Sequence, residues 1–272
     1  MIKKRLFTFG CSMTNYRWPT WADILGYEFD HHNWGFSGLG NVGIFLQLME
    51  AGYKHNISKD DNVVIMWTFL GREDRYVKDK WLAGGGVHTN RAYDNDWIEK
   101  YFCEKGSLIK ELGCIAAAIH VLNDWGCNWK FLSTDEIVGI AAYNKGDFLQ
   151  LDQSRQDLID FVKAIEVGDF KTLNNPPFDT DVMNTYIDVF KNLTRPCLYD
   201  FLLINYGTDL PVKLKYEDPH PTPNVFLEYV KTVFPDVKIS KECQDWVDNW
   251  TVKVINSNTP EELNWFKWPP RF

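Results

Sequence analysis

Leu6-Phe7-Thr8-Phe9-Gly10-Cys11-Ser12-Met13-Thr14 reads as a strand running into a tight turn. Apolar or β-prone residues lead into a glycine, a small cysteine and a serine, and a helical pattern begins a few residues later at Trp21. Strand, turn and helix in that order are how an α/β protein lifts one side chain above the carboxyl edge of its sheet, and Ser12 is the residue lifted. The plain alternative is an ordinary bend. This stretch alone does not choose between the two.

The rest of the chain sets bounds. With 272 residues and 45% hydrophobic content, it can bury a full core, and one large α/β domain over residues 1–272 is expected. A formal charge of -8 argues against nucleic acid as a partner, because neutralising phosphates takes a surplus of Lys and Arg. The 12 Trp, 12 Tyr and 18 Phe are assigned mainly to the core, although exposed Trp or Tyr faces would suit stacking on sugar rings. The cysteines Cys11, Cys103, Cys114, Cys127, Cys197 and Cys243 include no C-x-x-C pair, so neither a zinc knuckle nor a redox dithiol is indicated. The basic start Met1-Ile2-Lys3-Lys4-Arg5 ahead of Leu6 to Phe9 imitates a secretion signal, but its apolar run is shorter than the roughly 7–15 residues such a signal needs. No run approaches the roughly 18 apolar residues of a membrane span. A cytoplasmic protein without a membrane partner is therefore expected.

Working outward from Ser12, Thr20 caps a short helix from Trp21 that Gly26 ends. Asn33-Trp34-Gly35-Phe36-Ser37-Gly38-Leu39-Gly40-Asn41 is a glycine-punctuated loop, and a helix is predicted from Val42 to Lys54. Asn62-Val63-Val64-Ile65-Met66-Trp67-Thr68 is a continuous apolar run and reads as a buried parallel strand. Gly84-Gly85-Gly86 is read as a mobile surface loop; the Gly-Lys-Ser/Thr of a phosphate loop is absent. A long helix is predicted over Glu104 to Trp125, with Leu108, Leu112, Ile115, Ile119 and Leu122 on one face, and a strand over Asn128 to Ser133. Residues 135–208 read as a helical insertion or cap, with helices over Phe148 to Ile165 and Asp181 to Leu193 separated by Asn174-Asn175-Pro176-Pro177. Thr222 and Pro223 start a helix that runs to Val233. A Trp-rich C-terminal extension, 240–272, is expected to pack over the body.

A serine hydroxyl becomes a nucleophile when a base takes its proton, and the base needs an acceptor to hold its tautomer. Ser12 and the Asp218-Pro219-His220 segment lie far apart in sequence, yet early and late loops of a parallel sheet share one edge. His220 is the one histidine set between carboxylates and a proline-braced helix start. His31, His32, His55, His88 and His120 read as loop or helix-surface residues.

At this point the motifs resemble the SGNH/GDSL-type hydrolase superfamily. Phe9-Gly10-Cys11-Ser12-Met13-Thr14 is similar to its nucleophile block, with Cys11 where Asp is usual. Asn33 to Gly38 is similar to the second block, whose Gly donates a backbone N–H to the oxyanion. Asp218-Pro219-His220-Pro221 resembles the last block, which carries the acid and the base. The combination also looks like SGNH-like proteins of tailed phages. The resemblance implies an α/β three-layer α/β/α sandwich with a central, mainly parallel sheet (flavodoxin-like). It further implies Ser12, His220 and Asp218 as catalytic residues, Gly38 as an oxyanion donor, and no cofactor or metal.

Two departures stand out. The family's third block, Gly-x-Asn-Asp, supplies an Asn side chain to the oxyanion, whereas here the strand ends Trp67-Thr68 and continues Gly71-Arg72-Glu73-Asp74. A carboxylate in that place cannot donate a hydrogen bond, so Thr68 or Arg72 is the expected substitute, with a surface pairing of Arg72 to Glu73 or Asp74 as the alternative. In the last block the residue three before His220 is Glu217 and the residue two before is Asp218; Asp218 is favoured as the acid, with Glu217 in reserve. The implied function is hydrolysis of a small acyl ester, with an acetylated carbohydrate as the favoured substrate. The alternatives are a catalytically degenerate scaffold binding glycan or protein, as in a phage virion or the host cytoplasm, and a polysaccharide O-acetyltransferase.

Overall fold

The computed structural model describes residues 3–77, 80–88, 93–135, 151–174, 176–207, 214–263 and 265. Its centre is a four-stranded parallel sheet in the order β2-β1-β3-β6, formed by β1 (Arg5–Phe9), β2 (Asp30–Asn33), β3 (Asn62–Trp67) and β6 (Asn128–Ser133). The pleat sorts each strand between two helical layers. Phe7 and Phe9 of β1, with Val63, Ile65 and Trp67 of β3, pack with α2 (Asn41–His55) and α4 (Glu104–Trp125). Leu6, Val64, Met66 and Leu132 face the other way, toward α1 (Trp21–Leu25), α8 (Leu198–Tyr206), α9 (Pro223–Val233) and α10 (Lys241–Asn256). Both faces are covered, which is why β3 is an unbroken apolar run rather than an alternating one. The fold is α/β, a mainly parallel sheet between two layers of helices.

Several boundaries follow the sequence closely. The predicted helix over Glu104 to Trp125 has those limits, and α9 begins at Pro223 with Thr222 as its N-cap. Other expectations change. Gly84-Gly85-Gly86 is not a loop but lies in β5 (Lys80–Gly86), antiparallel to β4 (Arg72–Val77). Gly85 takes the left-handed conformation at φ +67°, which favours glycine, and its N–H donates to Gly38 O at 3.0 Å; Gly38 is itself closely approached, since a Cβ there, at φ +83°, would lie 2.7 Å from Ala83 O. The helix predicted over Asp181 to Leu193 divides into α6 (Thr180–Thr185) and α7 (Ile187–Lys191), interrupted at Tyr186. A short α3 (Asn95–Tyr101) precedes α4, and α5 is observed over Leu151–Val167; the part of its predicted span from Phe148 to Gln150 lies outside the described residues, as does Asn175.

Within residues 135–208, Phe161, Phe170, Met183 and Phe190 join the core beside α4, while Leu198 and Phe201 join the opposite layer. At the C-terminal side, Val254, Leu263 and Trp250 close over Trp18, and Trp265 N–H donates to Arg17 O at 3.2 Å. Residues 264 and 266–272 of the predicted extension lie outside the described residues. No helix among the described residues is long and apolar enough to cross a membrane.

Candidate active site

The sheet order reverses direction between β1 and β3, since β2 lies on one side of β1 and β3 on the other. Loops leaving neighbouring strands at such a point diverge and open a crevice at the carboxyl edge. Ser12 follows β1 and Thr68 follows β3, so both stand at that crevice. The turn is tightly made. Thr14 N–H donates to Cys11 O at 2.9 Å, and a Cβ on Gly10 would lie 2.1 Å from Thr14 Oγ1. The second loop is stitched to it: Trp34 N–H donates to Thr8 O, Phe36 N–H to Gly10 O, and Asn33 Nδ2 to Thr14 O. Thr20 Oγ1 also donates to Thr14 O, which ties the start of α1 to the same turn.

The structure brings Ser12, His220 and Asp218 together. Ser12 Oγ lies 2.8 Å from His220 Nε2, and His220 Nδ1 lies 2.7 Å from Asp218 Oδ1. With Nδ1–H donated to the carboxylate, Nε2 presents its lone pair to the serine hydroxyl, which is the tautomer that can take a proton from Oγ. Asp218 also accepts the His220 backbone N–H at 2.9 Å, so the two-residue spacing closes a compact Asx-type loop. Glu217 is exposed. Cys11, next to the serine, is fully buried in the apolar layer with Trp21 and Phe226.

Tyr16 completes the arrangement, and sequence reasoning missed it. Its ring stacks on the His220 imidazole with centroids 3.7 Å apart at 15°, and its hydroxyl donates to Asp218 Oδ2 at 2.6 Å. Trp18 stands edge-on to both rings and donates Nε1–H to Pro221 O at 2.8 Å. The one available signal was a run of aromatics immediately after the nucleophile turn. Burial pushes the Asp218 carboxyl up, but the hydrogen bonds from His220 and Tyr16 outweigh it, and the net shift is downward. Burial and the bond to Asp218 push the Tyr16 phenol up, so it stays a donor.

A carboxylate lowered on folding adds stability above its unfolded value, and that stability is lost as pH falls through the folded value. Tyr16→Phe removes one bond that holds Asp218 down. The acid limb of a plot of Tm against pH is therefore expected to move to higher pH in this variant; an unmoved acid limb would mean that Tyr16 does not act on Asp218.

The oxyanion side differs from expectation. Thr68 N–H is already donated to Asn41 Oδ1 at 2.9 Å, so its hydroxyl remains as its donor, and Thr68 Oγ1 is buried with no hydrogen-bond partner among the described residues. Arg72 makes no hydrogen bond to Glu73 or Asp74, although, where burial pushes the Asp74 carboxyl up, its charge pulls that carboxyl down. Its Nη1 donates to Leu39 O at 3.1 Å and its guanidinium lies over the Phe69 ring. Glu73 instead pairs with Lys110, and Asp74 accepts from Gly40 and Gly43 N–H at the start of α2. Gly38 takes the left-handed conformation and is braced by the hairpin through its carbonyl. The remaining histidines have other surroundings, such as the His31 bond to Thr8 and the His32 stack on Phe7. Among the described residues no group of three or more His, Cys, Asp or Glu is placed to hold a metal ion.

No family model matches the chain, and no curated protein matches it. Solved structures similar to it include protein YXIM of Bacillus subtilis, at 11% identity and TM-score 0.39 over 93% of this chain. This chain spans 56% of the length of that protein. A Bacteroides fragilis protein provisionally described as an acylhydrolase is similar at 14% identity and TM-score 0.28, covering 69% of this chain and 87% of its own. A GDSL-like lipase of Bacteroides thetaiotaomicron is similar at 15% identity and TM-score 0.28, with coverages of 69% and 88%.

Proposed function

We propose that the protein is a serine esterase of SGNH type that hydrolyses a small acyl ester, with an O-acetyl group on a carbohydrate as its substrate class. The observation that carries this reading is the unbroken chain from Ser12 Oγ through His220 to Asp218 at the carboxyl edge of the sheet. Ser12 Oγ attacks the ester carbonyl as His220 Nε2 takes its proton. The tetrahedral intermediate collapses as the same nitrogen protonates the leaving alcohol. Water, deprotonated by His220, then releases the acid and restores Ser12. Asp218 holds Nδ1–H throughout. Backbone N–H groups of Ser12 and Gly38, with the Thr68 hydroxyl or Arg72, receive the oxyanion; one such donor is worth about 2.7–4 kcal/mol in the transition state.

A cavity of about 500 Å³ lies between the hairpin and α3–α4, walled by Trp97, Tyr101 and Phe102 with Glu73, Arg75 and Lys110 at its polar side; neither Ser12, His220 nor Asp218 lines it, so it offers a place for a sugar apart from the reacting ester rather than at it. Aromatic faces beside charged hydrogen-bonding groups suit a sugar ring.

A fluorophosphonate probe tests the reading, because it reacts only with an activated hydroxyl. Labelling at Ser12 is expected, slowed on the order of 10²–10⁴-fold by Asp218→Asn and unaltered by Glu217→Gln. A second reading, a binding scaffold without hydrolysis, is favoured by the commitment of Thr68 N–H to Asn41 and of Arg72 Nη1 to Leu39. It predicts no labelling at Ser12, together with glycan binding that survives Ser12→Ala.

A further inference from the structure

We infer that Asn41 and Glu111 form a buried clamp that holds the segment from Thr68 to Gly71 in place at the site's edge, with Glu111 acting in its carboxylate form. The clamp makes them positioning residues; that part of the inference rests on the esterase reading.

Where β3 leaves the sheet, its next residue would ordinarily lose its backbone partners. The Asn41 side chain replaces them: Oδ1 accepts Thr68 N–H at 2.9 Å and Nδ2 donates to Thr68 O at 2.9 Å. Asn41 is the first residue of α2 and is fully buried. Its Nδ2 also donates to Glu111 Oε2 at 2.8 Å. The other oxygen of Glu111 accepts Gly71 N–H at 3.1 Å and Ser107 Oγ–H at 2.7 Å. One carboxylate thus gathers donors from α2, from the β3–β4 connection and from its own helix α4.

Three donors aimed at two oxygens fit an ionised acid. A proton on Oε2 would face the Asn41 amide hydrogens, and one on Oε1 would compete with Gly71 N–H or force the Ser107 hydroxyl to turn. Against this stands the cost of a charge in a site with no exposure to solvent. Burial pushes the Glu111 carboxyl up, the bonds from Ser107, Gly71 and Asn41 and the charge of Lys110 pull it back, and the balance lies at about 7. Among the described residues, Lys110 and Cys114, both on α4, are the ionisable groups that act on Glu111 or feel it; Lys110 is paired with Glu73 of β4, and α2 and the 68–71 segment present Asn41 and backbone to Glu111. The clamp therefore loosens as pH falls through neutrality, and with it the position of the Thr68 hydroxyl.

Amide NMR of the intact chain reads this without any substrate. The Gly71 and Thr68 amide shifts are expected to titrate with a midpoint near 7, and Glu111→Gln is expected to abolish that titration. Ser107→Ala keeps the acid but removes a donor to its charged form, so the midpoint is expected to rise by about one unit; it serves if Glu111→Gln does not fold. In ester hydrolysis, Glu111→Gln is expected to lower kcat about tenfold or more with little change in KM, and to remove one ionisation from the kcat profile. Gly71 and Thr68 amides that exchange with solvent no more slowly in the wild type than in Glu111→Gln, or a Ser107→Ala midpoint that does not rise, overturn the clamp. A titrating Gly71 in a protein that hydrolyses no ester leaves the clamp standing and overturns the esterase reading instead.

Discussion

Ser12→Ala is expected to lower ester turnover on the order of 10⁴–10⁶-fold, His220→Ala to cost about as much, and the double variant to cost little more than either. The expectation follows from a single proton path. Among the described residues Ser12 Oγ has one acceptor within reach, His220 Nε2 at 2.8 Å; without the ring the hydroxyl keeps its proton, and without the hydroxyl the ring has nothing to activate. Two groups that serve one step cannot each contribute independently, so their losses do not add. Turnover of p-nitrophenyl acetate by purified single and double variants measures this. Wild-type rates in Ser12→Ala would end the mechanism. Losses that multiply in the double variant would show that the two residues act in different steps.

Trp18→Ala is expected to destabilise the protein by about 3–5 kcal/mol, which in a chain of this size lowers Tm on the order of 10 °C. Trp18 is fully buried against Val254 and Leu263 and edge-on to Tyr16, so truncation leaves a void under both the nucleophile loop and the C-terminal helix. It also strips Pro221 O of its donor, one residue from His220. Trp18→Phe separates the two effects. Most of the ring volume remains, the stability loss is expected to shrink to about 1–3 kcal/mol, and turnover is expected to fall further than Tm alone predicts, because the His220 loop is no longer tied down. Chemical unfolding of both variants, with turnover measured where each is folded, checks it; a Trp18→Ala loss under about 1 kcal/mol would mean that the site does not depend on this packing.

β1, β3 and β6 were legible because their apolar runs are buried, and a run such as Val63 to Trp67 leaves few other readings, whereas the edge strand β2, half-exposed Asp30 to Asn33, carries no apolar signal and its histidines were read as loop or helix-surface residues. The Thr222-Pro223 start and the Glu104 to Trp125 stripe were legible for equally local reasons. That Ser12, Asp218 and His220 would lie together was legible in the order of the motifs. The groups that complete the site were not, because their partners come from remote elements: Tyr16 meets a carboxylate 202 residues away, and Asn41 meets Glu111 across two helices. Glu111 did leave a trace. It falls on the same face as Leu108, Leu112 and Ile115, where a carboxylate has no place unless donors await it. Gly84 to Gly86 misled because three glycines in a row are rare in a strand, and nothing near them announces that Gly85, at φ +67°, donates to Gly38 of a remote loop.

Ser12 and His220 are 208 residues apart in the chain, and that separation has a consequence for how the site comes into being. A ribosome finishes the serine turn and its aromatic run long before the histidine loop emerges. A growing chain that has already paired β1 with β3 therefore carries a hydroxyl with no base, chemically silent toward esters in its surroundings. On the esterase reading, the serine gains its base only when the Asp218–His220 loop ahead of α9 packs beside it, so the site is completed by a contact between the first strand's turn and a loop made 208 residues later.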